Sequence, residues 1–166
     1  MVWRLLTTRA VGLLSEAWEV VGMYRQRWVI EQFFRLLKSQ GLGIEDSQVQ
    51  SAERLCKLTA IAARASVMTL QLVQARGGKQ PETAALAFDA EAVEALDAVA
   101  KANYAPRTKL QANPHKKGTL AWAAWIIARL GGWDGYPKSK PPGPITMKND
   151  LDSFQSILIG WKVRET

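Results

Sequence analysis

Apolar residues recur at steps of three and four along most of this chain, which is the periodicity of amphipathic α-helices. Ser15, Ser51 and Asp89 stand where the first three of these segments begin and are suitable N-cap residues. The pattern predicts five helices, over Glu16–Gln40, Ser51–Arg76, Asp89–Asn103, Leu120–Leu130 and Asp150–Val163. We therefore expect a mainly α fold.

One short segment departs from the helical pattern. Trp3–Thr7 is rich in strand formers and is predicted to be a strand. A polar linker over Gly77–Thr83 divides the chain into two predicted regions, residues 1–76 and residues 77–166. Leu120–Leu130, in the second region, is nearly all apolar and is expected to be a buried or interface helix.

Composition narrows the class of protein. The chain has 166 residues, 48% of them hydrophobic and seven of them Trp, which is enough to fill the core of one domain. No run approaches the roughly 20 apolar residues that span a bilayer, and no secretory signal is expected. The single cysteine, Cys56, and the single histidine, His115, predict neither a disulfide nor a zinc site. We expect a cytoplasmic protein.

The net charge of +7 is concentrated at one end of the chain. Residues 101–166 carry eleven basic and four acidic side chains, most of the basic ones in predicted loops. Such loops are able to bind phosphates and release condensed counterions, although they also serve solubility. The charge distribution is compatible with nucleic-acid binding and does not establish it.

Four polar residues of the first predicted helix fall on one narrow stripe: Tyr24, Arg27, Glu31 and Lys38. At about 100° per residue, with Tyr24 set at 0°, the other three lie near 300°, 340° and 320°. A neighbouring stripe, between about 180° and 280°, is apolar and is expected to face the core. It comprises Met23, Ile30, Phe33, Phe34 and Leu37. The simplest explanation of the polar stripe is a solvated face with an ordinary Glu31–Arg35 pair.

The spacing of these four residues points to more specific chemistry. They form the pattern Tyr-x2-Arg-x3-Glu-x6-Lys, which matches the YREK signature around the last catalytic carboxylate of DDE transposases of the insertion-sequence-4 type. Residues 24–34 also resemble the Tyr-x-x-Arg-Trp-x-Ile-Glu-x-Phe helix of that family, and residues 119–133 are similar to its C-terminal segment ending in Leu-Gly-Gly. The resemblance covers nearly the whole chain and is strongest at the signature.

The resemblance implies a fold and a set of roles. The fold would be a helical remnant of an RNase H-like catalytic domain with one short N-terminal strand, followed by a C-terminal helical region for dimerisation and DNA contacts. Enzymes of this type cut DNA with two divalent metals, Mg²⁺ or Mn²⁺, held by three carboxylates. Glu31 would be the third carboxylate and a metal ligand. Arg27, Lys38 and, in a weaker match, Arg35 would contact DNA phosphates, and Tyr24 would donate its hydroxyl to the same backbone.

The chain departs from that family in two respects. A single predicted strand does not form the RNase H-like sheet, and the first catalytic residues are missing. The first two catalytic aspartates of the family precede the glutamate, whereas no Asp precedes Glu31 here. A lone carboxylate does not hold two metals. We therefore expect a C-terminal transposase fragment that is inactive and binds no metal alone, with transposon-end DNA as a partner. A homodimer, or a mixed dimer with a full-length transposase, is the expected protein assembly.

Two other functions remain open from the sequence. One is a non-catalytic helical interaction or regulatory module, and the other is a nuclease whose metal site forms between chains. The Leu120–Leu130 helix and the Leu151–Trp161 stripe are either a dimer interface or packed against each other within one monomer. We also expect Cys56 to be a small core residue, Trp28 to be a packing residue, and His115 to be solvent-exposed or a phosphate contact.

Overall fold

The computed structural model describes residues 4–40, 42–79, 81–103, 112–136 and 138–164, without the side chains of residues 39, 40 and 164. Within these residues the chain is mainly helical, as predicted. The α-helices are α1 (Leu14–Arg35), α2 (Ala52–Ala75), α3 (Ala90–Asn103), α4 (Leu120–Leu130) and α5 (Pro144–Arg164). A π-helical turn, Leu36–Gln40, follows α1 directly, and short 3-10 turns span Ile44–Asp46 and Ala84–Leu86.

The core surrounds α4. Every residue from Leu120 to Ala128 is buried, and side chains of α2, α3 and α5 close around this helix. Phe154 of α5 is fully buried and meets Phe88 edge to face, with ring centroids 5.8 Å apart. The Leu120–Leu130 helix therefore packs within the monomer, which is one of the two arrangements that the sequence left open.

The N-termini of α3 and α4 are held by side-chain caps, whereas Ser51, the predicted N-cap of α2, makes no capping hydrogen bond with its side chain. The Asp89 Oδ1 atom accepts a hydrogen bond from the Ala92 backbone N–H at 2.7 Å, as expected for the N-cap of α3. Thr119 caps α4 by accepting a hydrogen bond from the Trp122 backbone N–H at 3.2 Å. Helix α5 begins at Pro144, six residues before the predicted start, because proline fits the first turn of a helix.

The predicted strand does not form over residues 4–7, which have no ladder partner, and Trp3 lies outside the described residues. A strand requires a neighbouring strand for its backbone hydrogen bonds. The one β-bridge in the described part of the chain joins Thr83 and Thr119. It fixes the segment before α3 to the start of α4, supported by a 2.8 Å hydrogen bond from the Leu120 N–H to the Glu82 carbonyl.

Helix α1 lies at the margin of this core and has no buried residue. It packs on α2 and on the π-helical turn, where Leu36 and Leu37 are buried. Of the five residues in the apolar stripe that was predicted to face the core, only Leu37 is buried. Met23, Ile30 and Phe34 are exposed, and so are Trp18 and Trp28. The expectation that Trp28 packs inside was wrong, because helical periodicity marks an apolar face but does not supply the surface that covers it.

Three local expectations need correction. Glu16, rather than Ser15, satisfies the start of α1, since its Oε2 accepts the backbone N–H groups of Gly12 and Leu13 at 2.7 and 2.9 Å. Cys56 is exposed rather than buried, because the first turns of α2 extend beyond the core. His115 is half-buried against Gly78.

The sequence predicted no segment long and apolar enough to span a bilayer, and one helix of the structure departs from that expectation. Among the described residues, α2 has the length and the apolar composition of a helix that crosses a bilayer. Within its 18-residue apolar segment, 28% is buried. Core helices of soluble proteins meet the same criterion. No membrane role follows from this property alone.

A buried carboxyl lies where α4 ends against α5. Asp150 is 4% exposed, and its Oδ2 atom has no hydrogen-bond partner in the described part of the chain. A Cβ atom on Gly131 would lie 1.7 Å from Asp150 Oδ1, so only glycine fits beneath this carboxyl. Burial raises the pKa of Asp150 to about 6. The ionised form is therefore the destabilising one.

The first prediction concerns Asp150→Asn. The folded-state pKa of about 6 lies above the ordinary value of 3.8, so the contribution of this carboxyl is most favourable below about pH 4 and is lost as the pH rises through 6. A shift of this size corresponds to roughly 2 to 3 kcal/mol. Asp150→Asn should flatten the pH dependence and raise the free energy of unfolding at pH 7.5. Urea unfolding between pH 4 and 8 measures both. The control, Asp152→Asn, alters an exposed carboxylate on the same helix and should retain the wild-type slope.

The second prediction compares two tryptophans. Trp122 is 5% exposed within the core, whereas Trp18 on α1 is 61% exposed. Trp122→Ala should lower the free energy of unfolding by about 3 to 5 kcal/mol because it leaves a cavity. Trp18→Ala should change it by less than about 0.5 kcal/mol. A similar large loss for both variants in urea unfolding would show that α1 is covered in solution.

Candidate functional site

Tyr24, Arg27 and Glu31 form a continuous row on the outer face of α1. The Arg27 Nε and Nη2 atoms both donate to Glu31 Oε1, at 3.2 and 3.0 Å. The two side chains are 66% and 46% exposed. The hydrogen bond to Glu31, followed by the negative charge of that residue, raises the pKa of Arg27 above its ordinary value. The carboxylate thus faces solvent beside a guanidinium.

The row continues to Tyr24. The centroid of its ring lies 5.8 Å from the Arg27 guanidinium carbon. This places the phenol, the guanidinium and the carboxylate on successive turns of one helix, as the sequence predicted. The i,i+4 ion pair of Glu31 is made with Arg27, not with Arg35 as in the simplest surface explanation. Arg35 is exposed one turn further along.

Lys38 leaves this row. The segment from Leu36 to Gln40 is π-helical, and its wider turn rotates each residue by less than the α-helical 100°. The Lys38 ammonium lies 3.3 Å from Glu45 Oε1 and 5.9 Å from the centroid of the Phe34 ring. The four signature residues therefore form a group of three, with the fourth displaced beyond the end of α1.

Two cavities meet at Glu31. The first, about 520 Å³, opens beside the row, with Arg25 and Trp28 in its wall. The second, about 250 Å³, lies between α1 and the start of α5, with Arg35 on one side and Thr146 on the other. Arg25 was not singled out from the sequence, although the cluster Tyr24-Arg25-Gln26-Arg27 was a usable signal. Glu45 was also missed, because its proximity to Lys38 depends on the fold.

Two of the aspartates that follow Glu31 in the sequence, Asp97 and Asp134, are held by partners elsewhere in the fold. Asp97 accepts from Lys101 and Lys117, both at 2.8 Å, and these contacts lower its pKa. Asp134 accepts from the Ser139 hydroxyl and the Tyr136 N–H, which lowers its pKa as well. Among the described residues no three His, Cys, Asp or Glu side chains come together in a way that could hold a metal. Glu31 and its neighbours do not fit a two-metal site by themselves.

Part of the basic excess in the last third of the chain is paired internally. Lys101 and Lys117 share Asp97, and Lys148 pairs with Asp152 at 2.6 Å. Residues 107 and 109, two of the cations counted there, lie outside the described residues. Arg27 on α1 is paired in the same way with Glu31, so internal pairing does not decide between the two basic regions.

A comparison with known protein families concerns the segment that contains the row. Residues 3–68 match the family model of the transposase DDE domain. The match covers less than half of the chain and includes α1, the π-helical turn and most of α2. It supports a DDE transposase origin and a role in transposition. It also implies DNA as a partner and divalent metal ions as the cofactors that DDE transposases generally use.

The third prediction tests whether the Arg27–Glu31 pair has a structural role. Both side chains are exposed, and exposed ion pairs contribute little to folding because water solvates the separated charges well. Arg27→Ala and Glu31→Gln should leave the urea unfolding midpoint within experimental error of wild type. A clear loss of stability in either variant would show that the pair holds the helix in place. Any effect of these variants on ligand binding would then not be assignable to the site.

Proposed function

We propose that this chain is the C-terminal part of a cut-and-paste DNA transposase of the insertion-sequence-4 type. The observation that carries the proposal is the exposed row Tyr24–Arg27–Glu31, which lies inside the segment that matches the transposase DDE domain. Charged side chains bind a ligand from solution only if they are accessible to solvent, and Arg27 and Glu31 are both exposed. The YREK assignment rests on the sequence pattern.

In this proposal the cations of α1 and of the π-helical turn that follows it bind the DNA backbone. Arg27, Arg35 and Lys38 contact phosphates, and Tyr24 donates its hydroxyl to the same backbone. All four side chains are exposed. Such contacts fix the register of the transposon end on the protein without reading its base sequence, because phosphates are the same at every step.

Glu31 supplies the third catalytic carboxylate of the proposed enzyme. The described residues bring no group of three His, Cys, Asp or Glu side chains together, so in this proposal the remaining carboxylates come from another polypeptide segment. The chain alone is accordingly proposed to lack strand-transfer activity.

The exposed apolar surface supports the same proposal. Trp18, Met23, Trp28 and Ile30 on α1 are open to solvent, as are residues on the first turns of α2. In this proposal a partner covers these apolar side chains and removes them from water. We assign this surface to the remainder of an RNase H-like domain, within one polypeptide or in a homodimer or mixed dimer with a full-length transposase. The proposed location is the bacterial cytoplasm, at the nucleoid.

The same surface favours a second candidate function, a non-catalytic helical interaction or regulatory module. In that case the apolar face of α1 binds a protein partner, and the charged row is an ordinary solvated surface. The two functions differ in whether the chain binds DNA through the row.

The fourth prediction separates these two functions by salt dependence. Wild type should bind duplex DNA with an affinity that falls steeply with NaCl concentration. Arg27→Ala and Lys38→Ala should each reduce the slope of log affinity against log salt by about 1, because each variant releases about one counterion fewer. Fluorescence anisotropy with a labelled duplex measures the slope.

The matched control for this experiment is Lys57→Ala, which removes an exposed cation from an i,i+4 pair on α2, away from the row. It should leave the slope close to that of wild type. Equal slopes for all four proteins would contradict the assignment of phosphate contacts to α1. Absence of measurable binding would favour the interaction module.

A further inference from the structure

We propose that Glu45 limits DNA binding by occupying Lys38, so that this carboxylate competes with a DNA phosphate for the same ammonium group. The inference rests on the proposed function, since it concerns one of its phosphate contacts. The Lys38 Nζ atom lies 3.3 Å from Glu45 Oε1, and the two side chains are 51% and 55% exposed. The cation that the signature assigns to DNA is thus already paired with an acidic residue from outside the signature.

The fold brings these two residues together over a short loop. The π-helical turn is anchored by the buried side chains of Leu36 and Leu37. The Leu42 N–H then donates to the Leu36 carbonyl at 2.8 Å, which closes the end of the turn. Gly43 follows with a φ of 59°, a conformation that favours glycine, and the chain reverses into the Ile44–Asp46 turn. Glu45 therefore projects back toward Lys38.

Competition follows from the chemistry of the two acceptors. A carboxylate and a phosphate are both anionic oxygen acceptors, and the Lys38 ammonium is a compact charge that serves either. An exposed pair is weak enough to be displaced, so Glu45 reduces the affinity without preventing binding. After displacement, the negative charge of Glu45 remains near the phosphate and opposes it. Removing this charge should therefore strengthen DNA binding through Lys38.

Arg27 is engaged in a similar way by Glu31, through two hydrogen bonds to one carboxylate oxygen. Glu31, however, belongs to the proposed catalytic site, so its replacement would change more than the phosphate contact. Glu45 lies on a separate turn and has no catalytic assignment. It is therefore the residue through which competition for the cations of this surface is tested.

The fifth prediction compares Glu45→Gln with Asp46→Asn. Both variants remove one negative charge from adjacent positions of the same turn, but only Glu45 forms the ion pair with Lys38 described above. At about 50 mM NaCl, Glu45→Gln should bind duplex DNA roughly two- to fivefold more tightly than Asp46→Asn. The difference should disappear when each substitution is combined with Lys38→Ala, because the pair is then absent from both proteins. Fluorescence anisotropy measures the affinities, and circular dichroism checks that each variant is folded.

The outcomes distinguish the inference from the function on which it rests. Equal affinities of Glu45→Gln and Asp46→Asn, alongside weaker binding by Lys38→Ala, would overturn the competition alone. A gain from Glu45→Gln that persists without Lys38 would overturn it too, since the effect would then not act through the pair. If Lys38→Ala and Arg27→Ala bind as tightly as wild type, the proposed phosphate contacts fail and the inference fails with them.

Discussion

The burial of α4 on all sides is the constraint on which the rest of the arrangement depends. The consecutive residues from Leu120 to Ala128 span the whole circumference of this helix, and each is removed from water. A helix that is apolar around its whole circumference is stable in water only when neighbours cover every face. Helices α2, α3 and α5 provide that cover. Burial of each large side chain contributes about 1.5 to 3 kcal/mol, so these contacts dominate folding.

This constraint places α1 outside the core. The C-terminal half of α2 is committed to α4 and α5, and α1 is left with the remaining side of α2 and the π-helical turn. The polar row on α1 consequently remains in water, as a surface for a charged ligand requires. Met23, Ile30 and Phe34 on α1 remain in water as well, and these exposed apolar side chains are the physical reason for assigning α1 a partner. The exposed polar row of α1 is therefore suited to a charged ligand, whereas the exposed apolar side chains of the same helix are suited to a protein partner.

The π-helical turn determines where Lys38 lies relative to Tyr24, Arg27 and Glu31. In a continuous α-helix, Lys38 would stand above Glu31 on the same stripe. The wider turn after Arg35 rotates it away, and the reversal at Gly43 supplies Glu45 as its partner. A π-helical segment is uncommon and often marks a functional position. The group of four residues predicted from the sequence is therefore divided by backbone geometry into a row of three and one cation that pairs with Glu45.

The sequence by itself determined the mainly α character, the extent of α4, the N-cap of α3 and the alignment of Tyr24, Arg27 and Glu31. These depend on local periodicity and on contacts within one helix, which the order of residues specifies directly. The tertiary structure alone decided that α4 is sealed within the monomer, that Trp28 and Cys56 are exposed, that Asp150 is buried over Gly131, and that Lys38 pairs with Glu45. Each of these depends on which surfaces meet, and an apolar stripe does not reveal whether a partner covers it. The same reason explains the absent strand over residues 4–7, since backbone hydrogen bonds between strands require a second strand that local sequence cannot provide.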